Sequence, residues 1–313
     1  MKKAGLKKET ASWFALLALP LCLVLAHLLY CLMSLDLLID DEELGLFLRP
    51  WGGGYLLWGA VAGLLLAAKL TGVLTKQPFG PVMDSAAVPA LLMIAALRLL
   101  SGLLFRDVGV GMKLDFWFDP GETDWASRLS VLSLSDWSFF ERFPFAVQNY
   151  YGSWVWAVFV LQAVFAALAA IPVHRAETVP GGKTALFLLL YGCGSLLMEC
   201  MLIGGEIVCL PWNGFVKVNE IFCVVAVLSV FGVCVRRLPK GQRWKPALPA
   251  LVQVLCAAGV VVAMEFAAFE KKIPELTWLP ADGCHLLVLL ACAWMFLALR
   301  PVWKKAYGLR PVE

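Results

Sequence analysis

Charge is scarce in this sequence. Only 16% of its 313 residues are Asp, Glu, Lys or Arg, while 61% are hydrophobic. That balance excludes an ordinary water-soluble domain and indicates a polytopic membrane protein. Basic residues do not gather into a long face outside the loops, so nucleic-acid binding is excluded too. Histidine is scarcer still, with three: His27, His174 and His285. His27 and His285 sit alone in or beside apolar runs, where packing is the simplest role, and His174 stands next to Arg175. Cysteine is plentiful at ten, yet no Cys-x-x-Cys pair and no Cys/His ligand spacing occurs. Most cysteines, such as Cys22, Cys31, Cys223 and Cys256, fall inside apolar runs and read as small packing residues. A disulfide is conceivable only between loop cysteines such as Cys209 and Cys284. A phosphate-binding glycine loop and a Ser/His/Asp set are also missing. The reading therefore includes no metal and no cofactor.

What is present is a series of long apolar runs. Eight stand out, near residues 11–35, 55–75, 84–104, 152–173, 185–203, 218–235, 248–268 and 285–303. Each has about the length of a helix crossing a bilayer core. Only helices satisfy their own backbone in lipid, so the expected fold is all-α with about eight transmembrane helices. The first run follows a basic start but is long and lacks a small-residue cleavage site, so it reads as a span.

Orientation follows from the charged loops. Lys2, Lys3, Lys7 and Lys8 precede the first span. Arg236, Arg237, Lys240, Arg243 and Lys245 follow the sixth, and Lys304, Lys305 and Arg310 close the chain. With eight spans these three groups share one side, so both termini are expected in the cytoplasm. The opposite side holds Asp36, Asp40, Asp41, Glu42 and Glu43, and a long loop at 105–150 with seven acids against four bases. That loop is too long for a simple connector. Its Leu129–Phe145 part mixes Trp137, Phe139 and Phe140 with polar residues, as an interfacial helix or cap does. Trp154 and Trp156 read as interface anchors at the start of the fourth span.

The most distinctive stretch is Trp51–Asp107. It opens with a glycine cluster, Gly52–Gly54, followed by Gly59 and Gly63, and ends in a second span carrying Arg98. A cation in or near a span is costly and is a functional candidate by default. Glu199, with Glu206 just beyond it, falls at the same expected depth as Arg98 and Arg106. An arginine at headgroup level suits a lipid phosphate through charge-assisted, bidentate hydrogen bonds. Glycines at a span entrance let a headgroup or a neighbouring helix approach closely. Plainer roles stand beside these. Arg98 can snorkel to the interface, Glu199 can serve only as its counter-charge, and the glycines can be only a loop.

These residues resemble the prolipoprotein diacylglyceryl transferase family of bacterial membrane enzymes. The family shows a Trp and a glycine pair ahead of His-Gly-Gly-Leu-x-Gly, and Trp51, Gly53, Gly54, Gly59 and Gly63 fall at those places. It then has an aspartate fourteen residues before the arginine of Gly-Arg-x-Gly-Asn, a spacing matched by Asp84 and Arg98. Tyr191-Gly192 and Glu199 look like its Tyr-Gly-x-x-Arg-x-x-x-Glu, and Val218-Asn219-Glu220-Ile221 like its Met-Gly-Gln-Ile. Pro144 and Gln148–Tyr151 echo its His-Pro-x-Gln-Leu-Tyr-Glu more loosely. Three positions depart: Trp58 stands at the histidine, Ser101 at the asparagine and Ser195 at the second arginine.

The resemblance implies a single membrane domain over 1–313. It would have a family-like core at about 50–235, an outer cap at 105–150 and an extra helix pair at 248–303. It implies phosphatidylglycerol-dependent diacylglyceryl transfer to a lipobox cysteine thiol, with a lipoprotein precursor signal peptide as partner, in a bacterial plasma membrane. Arg98 and Glu199 are the implied catalytic residues. Gly53, Gly54, Gly59, Arg98, Ser101, Arg106, Arg142 and Tyr191 are implied to bind lipid, with Arg106 or Arg142 as replacement for the second cation. The alternative is a non-catalytic lipid-binding or membrane-assembly relative. A transporter would need broken helices or mid-membrane charges in both halves, and neither is visible. Oligomeric state stays open.

Overall fold

The computed structural model describes residues 6–40, 44–49, 54–104, 146–148, 154–156, 158–200, 217–270 and 281–308. Its helices are α1 (Lys8–Met33), α2 (Leu35–Asp40), α3 (Leu57–Thr75), α4 (Phe79–Leu104), α5 (Val158–Arg175), α6 (Gly182–Cys200), α7 (Val218–Arg237), α8 (Trp244–Glu270) and α9 (Ala281–Tyr307). All except the short α2 are long and apolar enough to cross a membrane. The protein is therefore a multi-pass helical membrane protein. Among the described residues the spans follow the eight apolar runs of the sequence.

The fourth run is shorter as a helix than its hydropathy suggests. Trp154–Trp156 forms a strand, β2, paired antiparallel with β1 (Ala146–Gln148), and α5 begins only at Val158. The register is Ala146↔Trp156, Val147↔Val155 and Gln148↔Trp154. Alternating Trp-Val-Trp suits a pleated strand, so the two tryptophans read as span anchors belong to a small hairpin. The long cap at 105–150 lies outside the described residues apart from β1.

Packing explains much of the glycine pattern. In α3, Gly59 and Gly63 are four residues apart and share one face. A Cβ at Gly59 would run into the Leu25 carbonyl and lie 2.6 Å from Ala26 Cα. One at Gly63 would lie 2.6 Å from Cys22 Cα. Cys22 and Ala26 are themselves four apart on α1, so α1 and α3 meet backbone to backbone through small residues on both sides. Of the two partners open to a glycine here, a headgroup or a neighbouring helix, Gly59 meets the helix. The first span, outside the stretch that resembles the family, is tightly joined to that stretch.

α6 lies at the centre. It is the most buried of the eight spans and packs against α4, α5, α7 and α9. Gly194 makes this possible on one side, because any side chain there would overlap the Phe165 ring of α5. The extra pair is part of the same bundle: α8 packs on α9, and α9 on both α6 and α7.

The N-terminal end of α6 is fastened by several groups. The Asp84 carboxylate at the start of α4 accepts from Gly181 N–H at 2.7 Å, Thr184 N–H at 2.9 Å and Thr184 Oγ1 at 2.8 Å. A carboxylate there satisfies orphan helix donors and complements the helix dipole. On the same end, Trp303 of α9 donates to the Gly182 carbonyl at 3.0 Å, and Arg237 lies 4.3 Å over the Tyr307 ring. The last turn of α9 also holds the loop before α6, through Val179 N–H to Tyr307 O at 2.9 Å.

Candidate functional site

The other end of α6 carries the candidate chemistry. Tyr191, Ser195 and Glu199 are spaced by four, which places them on one helix face over two turns. All three are buried. Tyr191 and Ser195 adjoin one turn apart on this face, and Arg98 of α4 lies within electrostatic range of both Tyr191 and Glu199. α4 and α6 run in the same direction, with Asp84 near the start of α4 against the start of α6, so the C-terminal part of each supplies one charge to the same depth. Two candidates from segments about a hundred residues apart are thereby brought together.

Trp58 closes one side. Its ring lies 6.0 Å from the Tyr191 ring, and it is buried. Phe187 packs on the same tyrosine at 6.1 Å. The aromatic contacts fix Tyr191 from two directions, and ring pairs at this separation are favourable.

Glu199 is 3% exposed and has a specific partner for its carboxylate: Asn219 Nδ2 donates to Oε2 at 3.2 Å. Its backbone carbonyl belongs to the last turn of α6, where carbonyls lack helical partners. Lys217 Nζ donates to that carbonyl at 2.5 Å. The lysine is 3% exposed and lies between two further carboxylates, Glu220 at 3.5 Å and Glu265 of α8 at 3.6 Å. Burial disfavours its charge, but Glu220 and then Glu265 outweigh burial, so the Lys217 ammonium is held above the usual lysine range. Ligand atoms of Cys200, Glu220 and Glu265 lie within 4.8 Å of one another, a spacing that admits a cation. The Lys217 ammonium already supplies positive charge against both carboxylates.

The glycine entrance has its own fastening. Gly54 has φ +72°, and a side chain there would run into the Tyr30 ring. The Gly54 carbonyl lies 3.1 Å from His27 Nδ1, and Leu46 O lies 2.8 Å from His27 Nε2. His27 is thus a packed, hydrogen-bonded histidine of α1. Of the remaining sequence candidates, Gly53, Arg106, Arg142 and Glu206 lie outside the described residues. Ser101 stands on α4, three residues after Arg98.

With the geometry in place, the comparison with known families decides the identity. Residues 1–236 match the family model described as prolipoprotein diacylglyceryl transferase. The chain belongs to the prolipoprotein diacylglyceryl transferase family. The match includes α1, which the sequence resemblance had left outside at residue 50, and it ends at α7. No curated protein and no solved structure gives a match. Membership carries a transferase-like function at family level, with lipoprotein precursors and phospholipid as the kind of partner.

Sequence reasoning missed Lys217 and Glu265. Each had a signal. Lys217 is a cation directly before an apolar span, and Glu265 is an acid inside one. Asn219 and Glu220 were seen only as part of a motif, without a role for their side chains.

Proposed function

We propose that the chain moves a diacylglyceryl group from phosphatidylglycerol to the thiol of a lipobox cysteine on a lipoprotein precursor. The setting of this reading is a bacterial plasma membrane, with both termini in the cytoplasm and the Arg98 end of the bundle facing outward. In the reaction a sulfur–carbon bond forms at the glyceryl carbon and the carbon–oxygen bond to phosphate breaks. Glycerol phosphate leaves, and the thiol proton is passed on to solvent or to the leaving phosphate. Arg98 is the cation that stabilises the departing phosphate. Glu199 and Tyr191 orient Arg98 and the headgroup. The observation that carries the reading is the convergence of Arg98, Tyr191 and Glu199 at one end of the bundle in a chain of this family.

The test is direct transfer. The purified full chain in phosphatidylglycerol vesicles is given a synthetic lipobox peptide, and the peptide mass is followed. A gain of one diacylglyceryl group is expected, falling about 10²–10³-fold in Arg98→Ala. No gain with protein that is folded and inserted contradicts the reading.

A second reading has its own support. Trp58, at the place of the family's histidine, is buried and packed on Tyr191. That favours a lipid-binding relative without the chemistry. It predicts saturable phosphatidylglycerol binding that weakens in Arg98→Ala, with the peptide unmodified.

A further inference from the structure

The family match ends at residue 236, and α8 and α9 lie beyond it. Both nonetheless reach the last turn of α6. Glu265 of α8 faces Lys217 Nζ at 3.6 Å, and Lys217 donates to the Glu199 carbonyl. His285 of α9 places Nε2 3.4 Å from the Cys200 carbonyl oxygen. Two of the orphan carbonyls at the α6 C-terminus are therefore met by side chains that are themselves on, or paired to, the extra helices.

We propose that the C-terminal helix pair is a working part of the site, with Glu265 as a positioning residue that sets Glu199 through Lys217. The physical case rests on what each charge needs. A buried ammonium is tolerated only when paired and hydrogen-bonded. Lys217 has a hydrogen-bond acceptor in the Glu199 carbonyl and two carboxylates as charge partners, Glu220 at 3.5 Å and Glu265 at 3.6 Å. Glu220 lies three residues along the same segment, so it moves with Lys217. Glu265 comes from a different span and fixes where the pair sits relative to the bundle. A carboxylate inside the apolar α8 is equally costly without its partner. The same lysine acts as a C-terminal cap on α6, where a cation suits the helix dipole. Moving Lys217 therefore moves the Glu199 turn, while Asn219, two residues from Lys217, holds the Glu199 carboxylate.

This inference rests on the transferase reading for its activity assay but not for its structural one. The experiment uses the full chain in phosphatidylglycerol vesicles, as wild type, Glu265→Gln, Glu265→Asp, Lys217→Met and the Glu265→Gln/Lys217→Met double variant. Two readouts are taken: kcat and KM for peptide lipidation, and the alkylation rate of Cys200 resolved by peptide mass. Cys200 is buried beside the cluster and reports on it without catalysis.

Glu265→Gln is expected to lower kcat about 10-fold or more with KM little changed, and Glu265→Asp to recover part of the loss. Because Glu265 acts through Lys217, adding Glu265→Gln to Lys217→Met should change kcat and Cys200 alkylation by less than about threefold further. Full activity and unchanged Cys200 protection in Glu265→Gln would overturn the proposal. So would multiplicative losses in the double variant. Wild-type activity that vanishes with EDTA and returns with Zn²⁺ would overturn it as well, by making Glu265 a metal ligand. If the wild type transfers nothing, the transferase reading fails, and the Cys200 pattern alone decides this one.

Discussion

At the residue scale the site is a set of buried and half-buried polar groups that depend on one another. Glu199 has its carboxylate on Asn219 and its carbonyl on Lys217, and Arg98 lies in electrostatic range. Removing one partner of such a set leaves the others buried and unpaired, which costs more than the lost bond itself. Asn219→Leu should therefore reduce transfer at least about 10-fold while the chain still inserts, measured by peptide lipidation against membrane-extracted protein. Unchanged transfer would remove Glu199 orientation from the account. The spacing of Tyr191, Ser195 and Glu199 was legible from the sequence because helical periodicity fixes which residues share a face. The approach of Lys217 to Glu265 was not. It joins two spans through tertiary packing, and no local pattern in either segment encodes its partner.

At the scale of elements, the helices are set by contacts at their ends and by small residues along their faces. Asp84 meets three donors around the start of α6. Asp84→Ala should destabilise the bundle by about 1–2 kcal/mol, a typical cap loss, read as a lower unfolding temperature in detergent. An unchanged midpoint would mean that the cap is dispensable. The α1–α3 contact makes a second prediction. Gly63→Leu forces a branched side chain against Cys22 Cα and should cost about 1–3 kcal/mol or more by overpacking. The matching Gly232→Leu change, where nothing lies within 4 Å of an added Cβ, should be close to neutral. Span number and type were legible because length and apolarity are local properties. Which neighbour Gly59 admits was not, since a glycine that meets a headgroup and one that meets a helix look alike in sequence. The start of α5 was misplaced for a related reason: Trp-Val-Trp is apolar enough to extend a span but pairs as a strand with Ala146–Gln148.

At the scale of the whole molecule, α6 is the helix against which α4, α5, α7 and α9 pack. Asp84, Trp303 and the Tyr307 region hold one end, while Lys217 and His285 hold the other. Both ends thus use residues from beyond the family match. A chain cut after Leu238 should lose transfer even where it inserts, because α6 would lose Trp303 at one end and His285 and the Glu265–Lys217 pair at the other. Transfer by such a truncated chain at near full rate would show that the extra pair is an appendage. The central claim, that Arg98 serves phospholipid-dependent chemistry in this family member, is tested most directly in cells. A bacterium depleted of its own transferase would express the full chain or its Arg98→Ala variant at matched levels, and lipidation of a reporter lipoprotein would be followed by gel shift. Lipidation restored by the wild type and lost in Arg98→Ala is the result predicted. Lipidation that survives Arg98→Ala would contradict the assigned role of the cation, and none from a well-inserted wild-type chain would contradict the transferase itself.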